Sequence, residues 1–175
     1  YCLSAEDGTP NWERHLPDKV AWSVSGDGEN IYFSNHNKYL YCLNGRTGKE
    51  IWKVRLLETE NLTPVLADGR LLFGSPDRKI HCLSAATGKE IWSCLMSDPI
   101  TSAPAVNEGK ILMGLKNGDL ICLSLSEGNV QWRKRVQTDL NFSPVIGRGV
   151  IIVATVGRPK QSVYCLGEAV APGLE

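Results

Sequence analysis

The sequence predicts an all-β fold built from a repeated four-stranded antiparallel sheet, and three observations predict it. Trp12, Trp52, Trp92 and Trp132 follow one another at a constant step of 40 residues. Cys2, Cys42, Cys82 and Cys122 keep that step, as do Gly8, Gly48, Gly88 and Gly128. Each period also holds short strand-like apolar runs separated by Gly-, Asn- and Asp-containing turns, with no helical periodicity. A period of this length marks one supersecondary unit that buries its apolar surface only against its neighbours. Repetition on this scale says more about how the chain is built than about what it binds.

The stretch 104–136 reads as one complete unit. A short strand over 104–109 ends in a turn, and 110–114 forms a second strand. Asn117-Gly118 predicts a type I′ hairpin turn, which needs positive φ at both central residues. Residues 119–124 give a third strand, Glu127-Gly128 a further turn, and 129–133 a fourth strand. Four short antiparallel strands per unit describe a blade of a β-propeller, with strands A to D running outward from the axis. Pro64, Pro104 and Pro144 open strand A, where a missing N–H costs little. The Gly ahead of each Trp strand sits in a turn that needs positive φ. The Trp offers a broad flat surface for packing one blade on the next.

The other units follow the same plan. Strands are expected at 31–33, 39–43 and 51–54 in the first full blade, and a second blade spans 64–96. The last unit carries strands at 150–153 and 162–166, separated by a longer loop at 156–161. The chain opens with a C strand at 1–3 and a D strand around Trp12, which makes seventeen strands in all. The expected divisions are 1–17 (an outer half-blade), 18–57, 58–97, 98–137 and 138–168, the last lacking strand D. About four blades suit part of a seven- or eight-bladed ring. A dimer of two arcs, or a four-bladed ring with one C strand displaced, are the other arrangements.

Composition narrows the function. Nineteen Lys and Arg balance nineteen Asp and Glu, so no net field draws nucleic acid or an anionic membrane. No apolar run reaches the roughly 20 residues of a membrane span. Five of the six cysteines share one mid-strand position in successive units, too far apart for disulfides, and read as small buried apolar groups. Free thiols point to a cytoplasmic setting, with a periplasmic one open if a leader precedes Tyr1. No nucleophile elbow, phosphate loop or zinc-binding His pair is present.

The segments 41–52 (Tyr-Cys-Leu-Asn-Gly-Arg-Thr-Gly-Lys-Glu-Ile-Trp) and 81–92 (His-Cys-Leu-Ser-Ala-Ala-Thr-Gly-Lys-Glu-Ile-Trp) resemble the tryptophan-docking repeat of pyrroloquinoline-quinone-type propellers. Segments 4–12 and 124–132 are looser copies that keep the Gly and the Trp. The resemblance covers the whole chain and implies a β-propeller. It also implies one of three roles: a scaffold for protein contacts, as in bacterial outer-membrane assembly, the accessory propeller of a β-alanine-activating acyl-adenylating enzyme, or a quinone- and calcium-dependent dehydrogenase. The dehydrogenases carry a vicinal cysteine pair and a carboxylate-rich calcium site, and this chain has no adjacent cysteines. No cofactor is therefore expected, and the chain reads as non-catalytic.

Any site is expected on loops at one propeller face, where the repeat breaks. The D–A loops contribute Glu58, Glu60, Asp98 and Asp139; the B–C loops contribute His36, Arg78, Lys116 and Arg158. A face mixing both signs suits a polar protein or peptide partner. A homodimer, or the remainder of a larger propeller, is the other expected partner. His81 stands where neighbouring units have Tyr41 and Ile121, and reads as a packing substitution.

Overall fold

The computed structural model describes residues 1–56, 64–75, 77–136, 140, 142–147, 149–155 and 162–167, with main chain alone at 21, 22 and 155. Two compact units are present, Tyr1–Pro99 and Ile100–Glu175. The described residues form seventeen strands in five antiparallel sheets, and no helix. The fold is a β-propeller of four-stranded blades.

The first unit holds three sheets. Strands β1 (Cys2–Leu3) and β2 (Pro10–Trp12) form a two-stranded sheet. Blade one is β3 (Val20–Gly26), β4 (Asn30–Asn35), β5 (Tyr39–Asn44) and β6 (Glu50–Arg55). Blade two is β7 (Val65–Ala67), β8 (Arg70–Gly74), β9 (Lys79–Ser84) and β10 (Glu90–Leu95). The second unit holds blade three, β11 (Ala105–Asn107), β12 (Lys110–Gly114), β13 (Asp119–Ser124) and β14 (Val130–Arg135). It ends in a three-stranded sheet of β15 (Val145–Gly147), β16 (Val150–Thr155) and β17 (Ser162–Gly167). Within each sheet the strands pair in chain order.

Register repeats with the sequence. Cys42 pairs with Trp52, Cys82 with Trp92 and Cys122 with Trp132 across the C and D strands. Each C–D turn closes the same way: Gly48 N donates to Asn44 O, Gly88 N to Ser84 O and Gly128 N to Ser124 O, all at 2.8–2.9 Å. Those glycines hold φ of 66°, 68° and 73°. Gly48 and Gly88 meet a second demand, because a Cβ there would stand 2.7 Å from the Trp12 ring and 2.8 Å from the Trp52 ring respectively. The indole of one blade is thus seated on the glycine of the next. Its Nε1–H donates to a nearby carbonyl, Trp12 to Gly45 O at 2.8 Å and Trp52 to Ala85 O at 2.9 Å.

The apolar columns divide between two faces of each sheet, as a strand period of two requires. In the first unit Tyr32, Leu40 and Cys42 of blade one are buried with Leu71, Phe73, Leu83 and Ala85 of blade two, and Trp52 packs on this cluster. In the second unit Leu120, Val136 and Leu140 are buried with Val153, Ile151, Tyr164 and Leu166 of the last sheet.

Two expectations need correction. The type I′ geometry is absent from Asn117-Gly118, where only Gly118 has positive φ and its N–H bonds back to Leu115 O at 2.9 Å. This is a four-residue turn with one left-handed residue at its end, and Lys38 and Arg78 take that conformation in the other blades, each at φ 66°. The two-residue I′ turns instead join strands A and B, at Asp68-Gly69 (46°, 69°) and Glu108-Gly109 (47°, 71°). The second correction concerns the cysteines. All six are free, and Cys42, Cys82 and Cys122 are buried, but Cys2 is half-buried and Cys165 is exposed.

Candidate functional site

The D–A and B–C loops share one end of each blade. At the end of β6, Leu56 N donates to Lys38 O at 2.7 Å; at the end of β10, Met96 N donates to Arg78 O at 2.8 Å; at the end of β14, Val136 N donates to Gly118 O at 2.9 Å. These bonds continue the C–D ladder by one residue and fix Leu56, Met96 and Val136, the first residue of each D–A connection, beside the B–C turn. In the first unit this end carries His36 and Arg78, both exposed, and half-buried Asp98. In the second unit it carries exposed Lys116. Glu58, Glu60, Asp139 and Arg158 lie outside the described residues.

Side-chain to main-chain hydrogen bonds brace these turns. Asp77 Oδ1 accepts the Lys79 N–H at 3.0 Å, and Asn117 Oδ1 accepts the Asp119 N–H at 3.0 Å. Asn35 Oδ1 does the same for Tyr39 N–H at 3.2 Å. The Asn35 amide nitrogen is buried with no hydrogen-bond partner. A buried donor left unpaired costs about 1–3 kcal/mol, and an ordered water is the simplest group to satisfy it.

The first unit also contains a charged cluster that the sequence reading did not find. A cleft of about 210 Å³ between blades one and two is lined by Val54, Arg55, Phe73, Asp77, His81 and Glu90, among others. His81 stacks on Phe73, ring centroids 5.2 Å apart, so its packing role holds. Its Nδ1 also lies 2.8 Å from Glu90 Oε2, and Nε2 lies 3.9 Å from Asp77 Oδ1. The hydrogen bond from His81 holds the Glu90 carboxyl below its usual range, helped by the Ser93 hydroxyl and opposed by burial. The signal was available in principle. The repeat places a Glu at both 50 and 90, facing Leu43 and Leu83, two residues along strand C from the column where Tyr41 gives way to His81. The described polar partners of this imidazole are the carboxylates of Glu90 and Asp77.

Blade three carries a second ionic group. Asp119, with its side chain 4% exposed, accepts from Arg133 Nε at 2.8 Å and lies 3.8 Å from Arg135 Nη1. The two arginines are 47% and 63% exposed, so the buried carboxylate is paired from the solvent side. Burial raises the thiols of Cys42, Cys82 and Cys122, Cys42 up to about 11. Such thiols stay protonated and are poor nucleophiles at neutral pH. Among the described residues no three His, Cys, Asp or Glu side chains converge as a metal site. No helix among them is long and apolar enough to cross a membrane.

A family model described as outer membrane protein assembly factor BamB matches residues 1–95 and 76–166. None of the curated proteins compared matches the chain. Among solved structures, BamB from Moraxella catarrhalis superposes with a TM-score of 0.75 at 19% identity, over 83% of this chain and 50% of that one. The chain therefore spans half the length of that relative. The computationally designed Ika4 protein aligns over 95% of this chain and 97% of its own, with a TM-score of 0.74 and 12% identity. The quinohemoprotein alcohol dehydrogenase ADHIIG from Pseudomonas putida HK5 aligns over 82% of this chain and 29% of its own, with a TM-score of 0.67 and 17% identity. At these identities the structural likenesses establish the fold.

Proposed function

The chain belongs to the family described as outer membrane protein assembly factor BamB, and from that membership we propose that it is a non-catalytic propeller scaffold that binds a protein or peptide partner. The binding end is the one formed by the D–A and B–C loops. The observation that carries this reading is that the loops where the repeat breaks are gathered at one end of each blade by the D-strand hydrogen bonds to Lys38, Arg78 and Gly118. A rigid blade that varies only at such loops is built to present side chains, not to rearrange them. Both signs of charge stand at that end in the first unit, which favours a polar polypeptide. The balanced net charge speaks against nucleic acid.

A quinone with calcium is the alternative suggested by the dehydrogenase likeness. The residues present do not fit it: the six cysteines are free and none is adjacent to another, and no described carboxylate group converges on a cation position. The proposal accordingly includes no cofactor.

Site-specific photo-crosslinking tests the reading. A crosslinking residue at His36 or Lys116 is expected to trap a discrete partner in the cell of origin, whereas one at Arg46, in the C–D turn at the other end of blade one, is not. With the crosslinker at His36, Arg78→Glu and Lys116→Glu are expected to weaken that adduct severalfold. Equal trapping from Arg46, or an adduct indifferent to both charge reversals, would refute the assignment.

A further inference from the structure

Blades one and two are copies, so each side chain of one can be set against its counterpart 40 residues on. In blade one the start of strand D is held by cations. Arg14, just beyond β2, donates through Nη1 to Gly48 O at 2.9 Å, and its Nη2 lies 3.2 Å from Glu50 Oε2. Lys53 Nζ lies 3.6 Å from Glu50 Oε1. One planar guanidinium thus spans a carbonyl and a carboxylate, a geometry that the fork of arginine fits and a lysine ammonium does not.

Blade two keeps the acceptors and changes their surroundings. Gly88 and Glu90 repeat Gly48 and Glu50, but Val54 stands in the column of Arg14 and Ser93 in that of Lys53. The Ser93 hydroxyl donates to Glu90 Oε1 at 3.1 Å and His81 Nδ1 lies 2.8 Å from Oε2, in place of two fixed positive charges. A third exchange adds negative charge, since Asp77 takes the column of Asn37. Val54, Gly88, Glu90 and Asp77 all line the cleft of about 210 Å³ between the blades. That volume is several times the ~30 Å³ share of one water. The stacked rings of Phe73 and His81 supply a flat wall, a surface on which a guanidinium packs well. Arg55, which is exposed, is the fixed cation of the described lining, against the two carboxylates.

We infer that this cleft binds an arginine side chain of a polypeptide partner, its guanidinium meeting Glu90 and the Gly88 carbonyl as Arg14 meets Glu50 and Gly48, with Asp77 as the second carboxylate. The inference rests on the reading of the chain as a polypeptide-binding propeller, and Asp77 belongs to the B–C turn at the end assigned to the partner. It gives that partner a required chemistry, because a site left by one arginine in the repeat is filled by another from outside.

Titration with N-acetyl-arginine N-methylamide, followed in two-dimensional proton–nitrogen correlation spectra, tests the site. Saturable shifts are expected at the His81, Gly88 and Glu90 amides, and none from the citrulline analogue, which keeps the size and loses the charge. Glu90→Gln and Asp77→Asn are each expected to weaken binding about fivefold or more. Val54→Arg, which copies the blade-one arrangement, is expected to fill the cleft from within and abolish binding. Both carboxylates are partly exposed, so their variants carry the test if thermal melts show that Val54→Arg does not fold. Free arginine binding more tightly than the capped residue would assign the cleft to a small guanidine and overturn the polypeptide occupant. No saturable shift, equal shifts from the citrulline analogue, or unchanged affinity in Glu90→Gln would overturn the site itself. The probe is a single capped residue, so a cleft that fails here leaves the loop crosslinks standing, and failed crosslinks leave the titration standing.

Discussion

Gly88 and Trp52 show how one residue pair carries two separate requirements. The backbone at Gly88 has φ 68°, a region that any L side chain enters at a cost. The Trp52 ring and the Val54 side chain also fill the space that a Cβ would take, both at 2.8 Å. Gly88→Ala therefore combines backbone strain with overpacking, and a loss of about 2–4 kcal/mol is expected. Trp52→Ala removes a partly buried indole and its bond to Ala85 O, at about 3–5 kcal/mol. Trp132 is 36% exposed, and its replacement by Ala should cost about half as much or less. Urea unfolding of the three variants checks the order; equal losses at Trp52 and Trp132 would show that the indoles contribute by composition and not by docking.

At the scale of elements, the A–B loop of blade one is anchored by a single carboxylate. Asp27 Oδ1 accepts N–H bonds from Asn30 at 2.6 Å and Glu29 at 2.9 Å, and Oδ2 accepts the Tyr32 hydroxyl at 3.2 Å. The Asn30 bond is the main cause holding this carboxyl below its usual range, with desolvation opposing it and Glu29 and Tyr32 assisting. A depressed folded value means that the stabilisation is complete above the unfolded pKa, near ~3.9 for Asp and ~4.3 for Glu, and is lost as pH falls through the folded value. Glu90, held low by His81, acts in the same direction. The melting temperature is thus expected to drop below about pH 4, and less steeply in Asp27→Asn and Glu90→Gln. Identical acid limbs in wild type and variants would contradict this linkage.

The same scale shows what was legible in the sequence. Strand number and strand order follow from periodicity, because a fixed step forces equivalent residues into equivalent sheet positions. Turn type did not follow. Asn117-Gly118 has the composition of a I′ turn, but Leu115 O and the Gly118 N–H close a longer loop, and Lys38 and Arg78 show that the position tolerates non-glycine residues. Of the candidate loop residues, His36, Arg78, Asp98 and Lys116 lie in the D–A or B–C connections of their blades, and the others fall outside the described residues. The Asp77–His81–Glu90 cluster was missed because its members are separated in sequence and gathered by strand pairing across a turn, which the column comparison alone does not reveal.

At the scale of the molecule, the central claim is that in the first unit serial sheets are held in place by indoles seated on the glycine turn of the following blade. Exchange of the indole N–H protons, followed by nuclear magnetic resonance and assigned through single Trp→Phe variants, reads this contact directly. The Trp12 and Trp52 indole protons, bonded to Gly45 O and Ala85 O, are expected to exchange slowly, and Gly48→Ala and Gly88→Ala respectively to release them. Exchange of both protons at the rate of a free indole in the native chain would contradict the account.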